Sequence, residues 1–176
     1  MGKYLTKQSS GLIILFSLCL NLAVAAQSYN KTLNDAIQLA YNLKTGEAAA
    51  IYDKLIKQQP ENPLAYYHKS NIYFWRFMSA FNDDDFKLFM KFSEQAIDKS
   101  SDWMNEKGID EEMQLFAGNC YTFRAIALAR NENYLECIWA AQKANGYLNA
   151  IYKNNPDNYD AYLGLGLFKI FLAQVP

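Results

Sequence analysis

Histidine is almost absent from this chain of 176 residues: His68 is the only one, and the cysteines are three, Cys19, Cys120 and Cys137. That inventory does not make a zinc site of the usual kind or a histidine-rich active site. A basic excess is also lacking. Lysine and arginine number 17 against 18 acidic residues, a formal charge of −1, so there is no electrostatic footprint for nucleic acid. Charged residues make up only 20% of the chain against 51% hydrophobic, which excludes a disordered polyelectrolyte. The apolar run Gly11 to Ala26 has 16 residues and falls short of the roughly 20 that span a bilayer. Period-2 alternation is missing too, so no segment reads as a strand.

What is present begins with a targeting pattern. Lys3 and Lys7 precede the apolar run, which closes on Ala23-Val24-Ala25. A basic start, an apolar middle and an Ala-x-Ala end are the three parts of a secretory signal peptide, with cleavage expected after Ala25 or Ala26. Residues 1–26 are therefore assigned to targeting and 27–176 to the mature domain. Loss of the two lysines leaves a mature charge of −3. Leu18 stands before Cys19 where lipid attachment needs a small residue, so lipidation is not expected. The protein is expected to be exported, to the periplasm, the cell envelope or the medium, without a stable membrane span.

The mature chain has helical periodicity throughout. Leu33, Ala36, Ile37, Ala40 and Leu43 share one face, behind Thr32 and Asp35 at capping-box spacing, and Gly46 is read as the break. Ala48, Ile51, Tyr52, Leu55 and Ile56 form a second stripe ending before Pro60. Helices are then expected over 64–81, 86–99, 111–130, from 134 to about 154, and 161–173. A polar loop is expected around 100–110. The fold class is all-α, in antiparallel hairpins.

The turns share a phrase. Pro60-Glu61-Asn62-x-x-Ala65-Tyr66 and Pro156-Asp157-Asn158-x-x-Ala161-Tyr162 have the same order of residue types. With Ala48 and Tyr52 before the first phrase, Ser70 and Tyr73 after it, Gly118 and Tyr121 later, and Leu165 and Gly166 near the end, the chain resembles the tetratricopeptide (TPR) family of helix-turn-helix repeats. The small residue lets one helix of a pair approach the other. Segments arrive seven residues late between these matches, which lengthens helices by about two turns without rotating their apolar faces. The resemblance implies long-helix repeats of an exported bacterial type, stacked as a right-handed solenoid. It also implies that the array is incomplete at the C-terminus and that 27–176 is the N-terminal part of a longer one.

Candidate chemistry is thin. His68 has no orienting acid or nucleophile in its vicinity in the sequence. Asn82-Asp83-Asp84-Asp85 lacks the alternating ligands and distal Glu of a calcium loop and reads as a helix start, as does Asp110-Glu111-Glu112. Gly164-Leu165-Gly166 has neither the preceding strand nor the Gly-Lys-Ser/Thr of a phosphate loop. No cofactor, metal site or catalytic residue is assigned, and the chain is read as a non-enzyme. What the resemblance implies instead is a groove lined by the first helix of each pair. Carried onto this chain, its positions are Leu64, Tyr67, Asn71, Phe74 and Trp75, then Glu112, Leu115, Asn119, Thr122 and Phe123. Of these, Tyr67, Asn71, Phe74, Trp75, Asn119 and Phe123 are the candidate partner-binding residues. Tyr67 and Leu115 stand where family members that clamp a C-terminal carboxylate carry basic residues, so that ligand is not expected. The reading is a non-catalytic scaffold for protein–protein interaction. The alternative is a module holding a glycan or lipid fragment in an aromatic groove. The helix 161–173, charged only at Lys169, is expected to be covered by more chain, a partner or a second copy.

Overall fold

In the computed structural model residues 27–172 are described, and their side chains through residue 170. The targeting segment 1–26 and the expected end of the last helix at residue 173 lie outside the described residues. Those described form seven α-helices and no strand. They are α1 (27–41), α2 (Thr45–Gln58), α3 (Pro63–Ala80), α4 (Asp83–Lys107), α5 (Glu111–Arg130), α6 (Tyr134–Asn154) and α7 (Tyr159–Leu172).

Local chemistry explains most of the helix starts. The Asn62 side chain accepts from Leu64 N at 3.1 Å with Pro63 in the first turn. Asp110 accepts from Met113 N at 3.1 Å and Asn158 from Ala161 N at 3.1 Å. The acidic run at the start of α4 behaves as a helix start should. Asn82 accepts from Asp84 N and Asp85 N, and buried Asp85 pairs with Arg76 at 3.1 Å. Glu111 at the start of α5 accepts from the Asn155 and Asn158 amides at 2.9 and 2.7 Å, tying the α6–α7 turn to α5.

Four sequence expectations need correction. Thr32 does not cap α1: the helix already runs from residue 27, and the Thr32 hydroxyl donates to Ser28 O one turn back. Gly46 does not break the chain. Leu43, with φ 61°, makes the left-handed turn and is largely exposed, while Gly46 lies inside α2. The polar loop expected over 100–110 shrinks to Gly108–Asp110, because α4 continues to Lys107. Fully buried Ser100 and the Lys107 ammonium, 3.4 Å from the centre of the Trp103 ring, accompany those last turns. Finally, the last helix begins at Tyr159 rather than Ala161.

Each helix packs on the next from α2 to α7, and α3 also touches α5, as α5 touches α7. The interior follows the chain as a series of small clusters. Tyr29, Leu33, Ala48, Tyr52 and Leu55 join α1 and α2 to α3. Tyr66, Phe92, Ala96 and Cys120 join α3, α4 and α5. Leu148, Ile151 and Ala161 join α6 to α7. Alanines at the crossings, such as Ala48, Ala65, Ala96, Ala117 and Ala161, are fully buried and keep the helices close. Arg124 locks α5 to α4 by donating to Met90 O at 2.8 Å and Ser93 Oγ at 2.9 Å. Cys120 and Cys137 are free and buried in different clusters. No helix among the described residues is long and apolar enough to cross a membrane.

Candidate functional site

The three capped starts set a spacing. Helices α3, α5 and α7 begin at Pro63, Glu111 and Tyr159, each 48 residues after the last. Residues 48 apart therefore stand the same number of turns from the start of each helix. Tyr67, Leu115 and Leu163 are one such set, and Asn71, Asn119 and Leu167 another.

The first set whole, and Asn119 and Leu167 of the second, meet in a cleft of about 330 Å³. Helix α1 contributes Tyr41, α3 Tyr67, and α5 Leu115, Phe116, Asn119, Thr122 and Phe123. Its far wall is α7, through Asp160, Leu163, Gly164 and Leu167. All four are odd-numbered helices. The walls come this close because Gly118 and Gly164 have no Cβ. A Cβ on Gly118 would lie 3.0 Å from Leu148 Cδ2, and one on Gly164 only 2.6 Å from Leu148 Cδ1. Leu148, fully buried, thus seats α6 against both α5 and α7. The expectation that Gly118 allows a close approach holds. Gly166, read as the matching glycine of the last helix, faces open space, and Gly164 makes the contact instead.

The polar centre of the cleft is a pair of side chains. Asn119 Nδ2 donates to the Tyr67 hydroxyl at 3.4 Å, across 52 residues of sequence. Burial raises the Tyr67 pKa, and the Cys120 thiol beside it pushes the same way, while the Asn71 and Asn119 amides offset part of the rise. Asn71 Oδ1 is buried without a hydrogen-bond partner. The Tyr67 ring packs on Phe116 with centroids 4.7 Å apart and meets His68 edge-on at 5.1 Å. His68 itself stacks on Tyr52 of α2. Asp160 is the only ionisable carboxylate on the walls, and no lysine or arginine joins it.

Of the six residues named from the sequence, Tyr67, Asn119 and Phe123 line the cleft. Asn71, one turn along α3 from Tyr67, lies behind them, outside the walls. Phe74 is not available to a ligand. It is 2% exposed, stacked on Phe123 at 4.6 Å and packed on Phe89 at 5.3 Å, a core residue of α3, α4 and α5. Trp75 is 63% exposed and meets Phe74 and Phe123 edge-on, outside the cleft walls. The sequence reading missed Tyr41, Phe116 and the whole α7 wall. The 48-residue spacing of the capping phrases could have located the α7 residues. Nothing in the sequence signals Tyr41, which α1 brings in only by packing on α2 and α3.

The walls set aromatic and aliphatic side chains around one amide–phenol pair and one carboxylate. Among the described residues no group of three or more His, Cys, Asp or Glu side chains gathers as a metal site would require. No protein-family model matches the chain, and no curated protein is detectably similar to it.

Proposed function

We propose that the chain is an exported, non-catalytic helical-repeat scaffold, similar to tetratricopeptide repeat proteins, that holds a segment of a protein partner at the cell envelope. In this reading its hairpins stack as a right-handed solenoid, and the cleft is part of the groove lined by the first helix of each pair. The observation that carries the proposal is that the cleft walls come from α1, α3, α5 and α7 alone, with residues of the last three 48 apart. The Asn119 amide offers a donor and an acceptor, which is what a peptide backbone requires of a side chain. Its existing contact to Tyr67 is long, at 3.4 Å, and can be exchanged for a ligand. Phe116, Phe123, Leu163 and Leu167 supply apolar surface for the segment's side chains, and Asp160 favours a basic residue at the rim.

A peptide array and a glycan array probed with the same purified protein test the reading. Peptide binding is expected. Asn119→Ala should weaken it about tenfold, the worth of roughly one net hydrogen bond, with helicity unchanged. Binding to glycans and not to peptides would overturn the peptide assignment in favour of the carbohydrate alternative. Export is tested separately by N-terminal sequencing of envelope material. The sequence should begin at Ala26 or Gln27, and a retained Met1 on cytosolic protein would refute it.

A further inference from the structure

Helix α7 has a second face, turned away from the packed interior. Tyr159, Leu163, Gly166 and Ile170 follow one another at spacings of four, three and four residues, the seam of a coiled coil. Tyr159, Leu163 and Ile170 are 78%, 65% and 60% exposed, and a Cβ on Gly166 would meet nothing within 4 Å. A 4-3-4 spacing reads the same in both directions. Two copies of the helix laid antiparallel, about a two-fold axis between Gly164 and Leu165, therefore superimpose the seam on itself. Leu163 of one copy then faces Gly166 of the other, and Tyr159 faces Ile170.

We propose that α7 is a dimerisation helix that pairs antiparallel with α7 of a second copy through this seam. The pairing repeats a device already at work inside the molecule, where Leu148 fills the space that Gly118 and Gly164 leave open. One flank of the seam adds a further match. Tyr162 and Lys169 lie on the same flank, and the two-fold brings Lys169 of one copy to within about 3 Å along the axis of Tyr162 of the other. An ammonium beside a tyrosine ring is a favourable contact, and it occurs twice by symmetry. The surface available is modest. The exposed parts of Tyr159, Tyr162, Leu163 and Ile170 come to about 500 Å² per copy, so a pair buries about 1,000 Å², the lower end for a specific interface. The dimer is accordingly weak and reversible. Leu163 belongs both to this seam and to the cleft wall, so the pairing covers the edge of the cleft, although nothing in the seam depends on what the cleft binds.

Sedimentation across 1–200 µM, about the range in which an interface of that size associates, should show a reversible monomer–dimer equilibrium. Tyr159→Glu with Ile170→Glu should raise the dissociation constant more than tenfold while leaving the circular dichroism spectrum unchanged. Oxidative cross-linking reads the register in a Cys19→Ser background, where the two remaining native cysteines are buried. A mixture of Tyr159→Cys and Ile170→Cys proteins should form a disulfide heterodimer. Neither alone should cross-link, because like positions lie about 16 Å apart in this arrangement. A monomer over the whole range, or a self-linked Tyr159→Cys dimer, would overturn the proposal and assign the face to another occupant or to a parallel pairing.

Discussion

Leu148 offers the sharpest test of how this molecule holds its last three helices together. It is fully buried, and its branches rest on two residues that have no side chains of their own, Gly118 on α5 and Gly164 on α7. Leu148→Ala removes three carbons, about 2.4 kcal/mol at 0.8 kcal/mol for each buried methylene equivalent. The cavity adds to this, because glycines have nothing with which to fill it. The total should be about 3–4 kcal/mol, within the range of other buried leucine truncations and a large share of a typical domain's stability. Gly164→Ala places its Cβ 2.6 Å from Leu148 Cδ1 in the native packing. The helical preference for alanine is worth about 1 kcal/mol, but displacing a fully buried leucine costs about 1–3 kcal/mol, so the single change should destabilise by about 1 kcal/mol. With both changes the new methyl group enters the cavity rather than colliding. The double variant should be more stable than the sum of the singles predicts by about 2 kcal/mol. Gly146→Ala, on α6 with nothing within 4 Å of its Cβ, is the control and should stabilise by up to about 1 kcal/mol. Urea unfolding followed by circular dichroism measures all four variants. Effects that add to within about 0.5 kcal/mol would show that Leu148 and Gly164 do not share this space.

Two further outcomes follow from buried groups. Burial pushes the His68 pKa down to about 4, below its unfolded value of 6.5, so the unfolded chain binds the extra proton first. Stability should therefore fall as pH drops from about 6.5 towards 4, by about 3 kcal/mol in all, and His68→Gln should flatten that slope; an unchanged slope in the variant would refute the assignment. Burial also pushes the Cys120 thiol up to about 12 and raises that of Cys137, so neither should react with iodoacetamide until the protein unfolds. Rapid labelling of the native protein, or a Cys120–Cys137 peptide in non-reducing mass spectrometry, would contradict the packing described above.

The sequence by itself determined the class and most of the punctuation. Asp110 reads as a helix start and Asn62 and Asn158 as turns, and all three cap helices through hydrogen bonds spanning two or three residues, so what marks them lies in one short stretch. For the same reason Arg130 and Asn154 were placed correctly as helix ends. Gly118 as a close-approach residue and Tyr67, Asn119 and Phe123 as members of one surface were also within reach, through the regular order of residue types.

Only the tertiary structure decided the rest. The polar run Ser100-Ser101-Asp102 reads as loop, yet α4 continues through it with Ser100 fully buried, because packing overrides weak local preference. Gly164 and Gly166 are chemically identical and two residues apart. They lie about 200° apart around α7, so which one meets Leu148 depends on the face that α7 turns towards α6, and no local signal encodes that. Phe74 and Trp75 are neighbours on α3, about 100° apart around its axis, and the stacking of Phe123 on α5 selects Phe74 for the core and leaves Trp75 to solvent. Tyr41 reaches the cleft only because α1 packs where it does. Local hydrogen bonding and periodicity are written along the chain, whereas the facing of one helix on another is settled by shape between residues tens of positions apart.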